Sequence, residues 1–354
     1  MNHDEADSRS NRILGQSQKT NCLHYRPIDL NKPCLRLLKV LPIGISGLIT
    51  CEITTRELPA KYVAVSYCWG SEQNRTAIAV RSHNNEETQY LTVRWNVYTL
   101  LAYLARGKRK LPWFWIDAIC IDQDNVHERN HQVRQMSSIY SGAKDVLIWL
   151  GEDALVNDLL RPIAAARNKG TASFEAAVER TIKAYDKDVL HQTLTRLETN
   201  TYWSRLWIIQ EVILAPRTAL VVFCGCGYID WIDFIYIYRN LADTVYSKTL
   251  RGTLIRLESI PASSLRNLAV ARASYSYGTY LPSMVDILTT FSTAKCADRR
   301  DKVYGLLSLA KDGSGFPVDY SLNLAEVFCL TWAYFAFYHH QRGSARLSDL
   351  IVSP

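Results

Sequence analysis

Two tryptophans and a glutamate recur four residues apart in the segment Tyr202–Val212. Trp203, Trp207 and Glu211 would share one face of a continuous helix, because an α-helix repeats every 3.6 residues. A surface helix does not need two large rings and a carboxylate on one face. The spacing predicts a helix over roughly 202–214 that presents Glu211 as the reactive carboxylate of a pocket.

A structural interpretation of the same residues also stays open. Glu211 would then pair with a basic neighbour such as Arg205 or Arg217. The two tryptophans would be core anchors, because buried aromatic rings contribute most through the apolar area that they remove from water.

A second segment carries residues with metal-binding spacing. His127-Glu128-Arg129-Asn130-His131 matches H-E-x-x-H, in which two histidines one helical turn apart bind zinc and the glutamate activates water. The charged Arg129 between the ligands and the turn-forming residues before His127 speak against it. A zinc peptidase is therefore kept as a remote alternative. Ser66 does not lie in a G-x-S-x-G motif, which disfavours a hydrolase nucleophile.

The elements that must position these residues alternate between strand and helix patterns. Three short apolar runs predict buried strands, and helical periodicity separates them. This order predicts an α/β fold with a parallel sheet and right-handed crossovers. Ligands of such sheets bind beyond the carboxyl ends of the strands. The substrate-binding candidates there are Ser66, Trp69, Asp117 and Asp122. The predicted strands are 62–70, 113–121 and 146–150, and the predicted helices are 92–106 and 126–142.

The flanking sequence predicts further elements. Two strands joined by a loop are expected before the core, a polar loop after its first strand, and helices followed by one more strand after its third. From about residue 228 the composition predicts a mostly helical region. The ranges are 35–40 and 48–53 for the early strands, 71–90 for the loop, 153–200 for the helices, 218–224 for the later strand, and 298–310 and 324–338 for two late helices.

Composition limits the classes of function. The chain has 354 residues, of which 48% are hydrophobic, as expected of a globular protein. The net charge of +7 is spread along the chain and no nucleic-acid motif accompanies it, so no nucleic-acid partner is expected. The apolar runs are too short to span a membrane. Residues 1–20 read as a flexible polar tail without an apolar signal segment, so nine cysteines predict free thiols in the cytoplasm.

Several motifs occur in the order found in fungal heterokaryon-incompatibility (HET) domain proteins, and the chain resembles that family from about residue 35 to 330. The matching segments are YVAVSYCWG (62–70), WIDAICIDQ (115–123), IYSGAKDVLIWLG (139–151), YWSRLWIIQEV (202–212) and DRRDKVYGLL (298–307). The resemblance implies a HET domain over 21–227, a helical region over 228–354, and a part in fungal non-self recognition and programmed cell death.

The family is regarded as distantly similar to TIR domains, so the resemblance implies a TIR-like or flavodoxin-like sheet. Some TIR domains cleave NAD with a glutamate on a helix after the third strand, which is a place comparable to that of Glu211. In that scheme Trp203 or Trp207 stacks on a base, Ser66 with Asp117 or Asp122 binds ribose, and no cofactor or metal is required. The alternative is a non-catalytic signalling module that acts by self-association or by recruiting other cell-death proteins.

Overall fold

The structure is a computed structural model that describes residues 22–44, 47–82, 85–106, 111–167, 170–225, 228–246, 260–276 and 282–340. The tail expected over residues 1–20 lies outside these ranges. The chain divides into two compact units. Unit 1 comprises residues 1–135 and 142–151, and unit 2 comprises residues 136–141 and 152–354. The domain boundary predicted at residue 227 stays a prediction.

Unit 1 is built on strands of one sheet with helices between them. The strands are β1 (Cys34–Val40), β2 (Thr50–Glu57), β3 (Val63–Tyr67), β4 (Arg75–Ser82), β5 (Asn85–Arg94), β6 (Phe114–Trp115) and β7 (Asp145–Trp149). The helices are α1 (Trp95–Arg106), α2 (Asp117–Cys120) and α3 (Val126–Gly142), of which residues 136–141 belong to unit 2. Within the described part of this unit the strand order is β5-β4-β2-β1-β6-β3-β7.

The central strand β3 confirms the predicted α/β fold. All five of its residues are buried, because β6 and β7 pair with it on both sides and both run parallel to it. Short β-branched, apolar runs are typical of such central strands. The sheet as a whole is mixed, since β1 runs antiparallel to both β2 and β6. The early strands that were expected near 35–40 and 48–53 are β1 and β2.

The prediction of a loop over residues 71–90 is wrong, because β4 and β5 form a hairpin there. Strand β5 is largely polar, and the short buried apolar run of residues 77–80 in β4 lies among polar residues that were predicted as a loop. In the described sheet β5 lies at the edge, where polar side chains keep an exposed strand from pairing with other chains.

The long strand expected over residues 113–121 is also shorter than predicted. Only Phe114 and Trp115 form β6, and α2 begins at Asp117. Ile116 is extended and accepts hydrogen bonds from the amides of Ile119 and Cys120. The apolar residues after Trp115 therefore fill the core from a helical turn, which an apolar run alone cannot distinguish from a strand.

Unit 2 is mostly helical, as predicted for the region after residue 228. Its helices are α4 (Ala154–Arg167), α5 (Thr171–Lys183), α6 (Lys187–Glu198), α7 (Trp207–Ile213), α8 (Trp231–Tyr246), α9 (Ser264–Ser276), α10 (Met284–Thr290), α11 (Asp301–Tyr304) and α12 (Leu324–His340). Strands β8 (Leu220–Phe223) and β9 (Tyr228–Asp230) pair antiparallel. The predicted late helix over 298–310 is wrong in extent, because α11 ends at Tyr304 and a 3-10 turn follows at Leu307–Leu309.

The prediction of one continuous helix over residues 202–214 is wrong. Residues Thr201–Ser204 form a 3-10 turn and Arg205 is extended, with φ −76° and ψ 140°, before α7 begins. The interruption has a tertiary cause. The Lys295 amide donates to the carbonyl of Ser204, and the Leu206 amide donates to the carbonyl of Lys295. These bonds hold the chain in a short bridge at Arg205, so local helical periodicity does not decide its conformation.

Candidate functional site

The carboxyl end of β3 brings two of the predicted site residues together. The indole Nε1 of Trp69 donates to Asp117 Oδ2 at 2.8 Å, and Asp117 Oδ1 accepts from the Ala118 amide at 2.7 Å. Both side chains are partly buried. The carboxylate thus accepts a bond from its own helical turn and a bond from the loop that follows β3, and Trp69 and Asp117 form one hydrogen-bonded unit.

A cation lies over the same indole. The guanidinium carbon of Arg94 is 5.0 Å from the centre of the Trp69 ring, within the range of a cation–π interaction. Arg94 also donates to the carbonyl of Gly70 at 3.0 Å and pairs with Glu72 at 2.6 Å. The arginine therefore fixes the loop that follows β3. Gly70 has φ +76°, a conformation that glycine adopts without strain.

Asn96 completes this strand-end cluster, which we define as Trp69, Arg94, Asn96, Asp117 and Trp149. The Asn96 amide nitrogen donates to the carbonyl of Cys68, and its oxygen accepts from Trp149 Nε1 at 2.9 Å. One side chain thereby joins the ends of the neighbouring strands β3 and β7. The cluster contains a carboxylate, a guanidinium and an indole face at the edge where parallel sheets bind ligands.

The other two unit 1 candidates occupy different positions. Ser66 lies inside β3 and is fully buried, so its hydroxyl belongs to the sheet interior. Asp122 lies after α2, where its Oδ1 accepts from the Asp124 amide at 3.3 Å. Its own amide donates to Glu128 Oε1 at 2.8 Å. Asp122 is therefore part of the turn that starts α3.

The glutamate of the H-E-x-x-H segment is engaged in the core. The carboxylate of Glu128 forms a buried, two-pronged ion pair with the guanidinium of Arg36, with Nη2 to Oε2 at 2.9 Å. The guanidinium also donates to the carbonyls of Arg26 and Cys120 at 2.6 and 3.2 Å. The ring of Tyr25 lies 4.7 Å from its carbon.

This ion pair removes the support for a zinc peptidase. Glu128 would have to give up a buried charged partner before it could activate water. His127 is exposed, whereas Glu128 faces the interior. Among the residues whose side chains are described, no group of three or more histidines, cysteines or acids is placed to hold a metal.

Trp203, in unit 2, is a core residue. It is 3% exposed, its Nε1 donates to the carbonyl of Leu197 at 2.7 Å, and its ring stacks on Phe234 at 6.1 Å. Tyr202 and Trp231 meet it edge-on. Both the N–H and the faces of the indole are in contact with protein, as expected of a core anchor.

Trp207 is bound to a second carboxylate. Its Nε1 donates to Asp301 Oδ2 at 2.9 Å, while the hydroxyl of Tyr320 donates to Asp301 Oδ1 at 2.5 Å. Burial raises the pKa of the Asp301 carboxyl above its ordinary value, although both hydrogen bonds act to lower it. Burial raises the pKa of Tyr320 as well, and the Asp301 charge adds to that effect.

Glu211 is 2% exposed and lies in α7, where every residue from Ile208 to Ile213 is buried. Its neighbour Gln210 is also enclosed, with its Nε2 donating to the sulfur of Met136 at 3.7 Å and its Oε1 accepting from Ser308 at 3.0 Å. Because the helix starts only at Trp207, Trp203 does not continue its face. The predicted grouping of two rings and a carboxylate along one helix is therefore broken.

Sequence reasoning missed several residues that hold these sites. Arg94 and Asn96 stand at the junction of β5 and α1, and Arg36 and Asp301 pair with residues far away in the sequence. The sequence contained only a weak signal for these four residues. Each of them lies near the end of a strand or the start of a helix, and nothing else distinguished them. Charged and amide side chains at such positions are typical of caps and ion pairs as well as of sites.

Comparison with known proteins shows which family the first part of the chain is similar to. Residues 62–211 match the family of heterokaryon incompatibility (HET) proteins. The matched range contains the Trp69–Asp117 pair and ends at Glu211. Residues 62–211 are therefore similar to the HET family, in agreement with the resemblance drawn from the motifs.

The sequence of one relative aligns with most of this chain. Heterokaryon incompatibility protein 6, OR allele, of Neurospora crassa is 28% identical over 366 aligned residues. The alignment covers 88% of this chain and 53% of the relative, so the chain spans about half the length of the curated relative. No solved structure gives a significant match, and the expected likeness to TIR domains stays a prediction. No helix in the described ranges is long and apolar enough to cross a membrane.

Proposed function

We propose that this chain acts in fungal heterokaryon incompatibility, as a signalling module for non-self recognition that leads to programmed cell death. The HET domain over residues 62–211 and the name of the Neurospora relative support this role. The proposed place of action is the cytoplasm, and the proposed partners are further copies of this chain.

Self-association is supported by an exposed apolar face on α12. We define the α12 stripe as Leu324, Ala325, Phe328, Cys329, Trp332 and Ala333, all of which are exposed. The three large members are 44%, 51% and 53% exposed. The opposite face of the helix packs inward through Val327 and Phe335, each 2% exposed. Large apolar patches on a protein surface mark sites of association.

A second copy of the chain fits this stripe because the stripe contains no charged side chain. Two copies related by a two-fold axis would place the same apolar residues against each other, and no like charges would face each other across the interface. Half-exposed Phe328 and Trp332 offer about 100 Å² each. This area is well below the roughly 800 Å² per partner of a stable complex. The association is therefore weak and responds to local concentration, which suits a signal that begins when copies gather.

Substitution of lysine into the stripe tests the proposal. Phe328→Lys with Trp332→Lys should shift the sedimentation equilibrium of the purified chain to monomer and abolish cell death on expression in a fungal host. The matched control is Ile232→Lys, which places lysine at an apolar residue of α8 that is 66% exposed and lies outside the stripe. The control should retain both properties. Cell death by the folded double variant at the wild-type level would contradict the proposal.

NAD cleavage is the second candidate. The observation that supports it is the burial of Glu211, because a carboxylate shielded from water acts more strongly on a developing positive charge. The bonds of Trp203 to Leu197 and of Trp207 to Asp301 leave these rings less suited to stacking on a base. We therefore propose assembly as the first candidate. A substitution of Glu211 distinguishes the two proposed functions.

A further inference from the structure

A cavity of about 260 Å³ lies in unit 2 between α9 and α10. Its floor consists of Ile213, Ile287 and Leu309, which are 3–5% exposed. Val270 and Ala271 line it from α9, and Phe291 lines it from the end of α10. An apolar floor of this kind binds water poorly and favours an apolar occupant.

The rim of the cavity is polar. Arg266 and Asn267 stand on the α9 side, and the Arg266 guanidinium donates to Asn267 Oδ1 at 3.0 Å. Asp286 stands on the α10 side, where its Oδ2 accepts from the amide and hydroxyl of Ser283 at 2.9 and 2.7 Å. One cation and one anion at the rim balance each other, which favours an uncharged ligand over an ion. A few polar groups around an apolar floor are the usual composition of a small-molecule site.

The walls are fixed by bonds that do not involve the cavity. Arg272 of α9 is 3% exposed and donates to the carbonyls of Val212, Ile213, Ala215 and Pro216 at the end of α7. Burial lowers the pKa of Arg272 to about 10, so it remains charged at neutral pH. At α10 the amide of Met284 donates to Asp312 Oδ1 at 2.7 Å. The walls therefore have little freedom to collapse into the space.

We propose that this cavity binds a compact, uncharged apolar molecule with one hydrogen-bonding group directed to the rim. An engineered cavity of about 150 Å³ holds benzene. By proportion this cavity accepts roughly ten non-hydrogen atoms, the size of a two-ring aromatic compound such as indole or 2-naphthol. Neither the HET domain match nor the proposed assembly requires this site.

The test uses the full chain with indole and 2-naphthol as probes. Isothermal titration should give one saturable site, and the melting temperature should rise with probe concentration because the ligand binds the folded state. Ala271→Phe fills the cavity and should weaken binding at least tenfold. Ala273→Phe makes the same change on α9 at a residue that does not line the cavity, and it should bind as the wild type does.

A second variant covers the case in which Ala271→Phe fails to fold. Thr290 lies at the exposed rim, so Thr290→Trp should obstruct the entrance while the far-ultraviolet circular dichroism stays unchanged. Absence of saturable binding by the wild-type chain would overturn the proposal. Equal binding by the wild type and by either folded cavity variant would overturn it too.

Discussion

The indole Nε1 of Trp69 donates to Asp117 Oδ2 at 2.8 Å and joins the loop after β3 to the first residue of α2. These residues come from two separate motifs of the chain, and both lie within the HET family match. The neighbouring parallel strands β3 and β6 bring them together, because the carboxyl ends of parallel strands meet at one edge of a sheet.

A double-mutant cycle should show coupling between these two residues. Trp69→Phe removes the donor, Asp117→Asn weakens the acceptor, and the two changes together should cost less than the sum of the single costs by about 1 kcal/mol. Urea unfolding followed by circular dichroism measures each variant. Trp95→Phe is the control, since Trp95 is 46% exposed. Additive single costs would show that the bond contributes nothing to stability.

The buried pair of Arg36 and Glu128 should be among the most sensitive sites of unit 1. Glu128→Gln leaves the guanidinium without its buried partner charge and should lower the free energy of unfolding by about 3 kcal/mol or more. Arg36→Met with Glu128→Leu removes both charges and should restore much of that loss. The comparison is Lys32→Met, because Lys32 and Glu57 form an ion pair in which both side chains are 55% exposed, worth about 0–1 kcal/mol. A small effect of Glu128→Gln would contradict this account.

Glu211→Gln separates the two proposed mechanisms. Glutamine keeps the shape of the side chain and removes its charge. If assembly is the mechanism, purified wild-type protein should leave NAD intact at concentrations where it associates, and the folded variant should still cause cell death. Liquid chromatography of NAD and nicotinamide measures the first property. The exposed Glu175→Gln is the matched control. NAD loss with wild type and control, but not with Glu211→Gln, would establish catalysis instead.

Asp301 should make a pH-dependent contribution to stability. Burial raises its folded-state pKa above the ordinary value of 3.8, so the folded state holds the proton more tightly than the unfolded state does. Its contribution to the free energy of unfolding therefore falls as pH rises from 3.8 through the folded-state pKa. Asp301→Asn lacks this titration, and its stability relative to wild type should increase across that window.

Urea unfolding between acid and neutral pH provides this measurement. Asp158→Asn serves as the control, because its side chain is 60% exposed. A difference between Asp301→Asn and wild type that does not change with pH would contradict the raised pKa.

The cysteines should differ in reactivity according to burial. Burial raises the pKa of Cys51 and of Cys120 to about 12, so at pH 8 each is almost entirely the unreactive thiol. Cys22 and Cys329 are exposed. Iodoacetamide should modify Cys329 and Cys22 in the native chain and reach Cys51 and Cys120 only after unfolding, as measured by peptide mass spectrometry. Modification of Cys51 at the rate of Cys329 would show that the core of unit 1 opens readily.

The parallel core of unit 1 could be predicted because its signals are local. The runs at 62–70 and 146–150 are short, apolar and β-branched, and helical periodicity separates them. Strand β4 has a short local signal of the same kind, the buried run of residues 77–80, although it was predicted as loop. Its partner β5 could not be recognised in this way, because it is largely polar and lies at the edge of the described sheet. Edge strands need few apolar residues, so their sequences resemble loops.

The candidate site likewise has residues that could be predicted from the sequence and residues that could not. Its individual residue types were visible in the sequence, and the convergence of Trp69 and Asp117 followed from parallel strands. The neighbouring members of the strand-end cluster, Arg94 and Asn96, were not visible, because contacts between side chains from different elements have no sequence period. The pairing of Trp207 with Asp301 belongs to the same class.

The segment Tyr202–Val212 separates what the sequence determined from what only the tertiary structure decided. Its composition determined that the large apolar side chains would lie in the interior, because apolar residues at this density must be buried. The tertiary structure decided which of them share a helix. The Lys295 amide donates to the Ser204 carbonyl and the Leu206 amide donates to the Lys295 carbonyl. These two bonds keep the chain at Arg205 extended, and α7 starts only at Trp207. Helical periodicity is a local preference, and the two long-range bonds outweigh it.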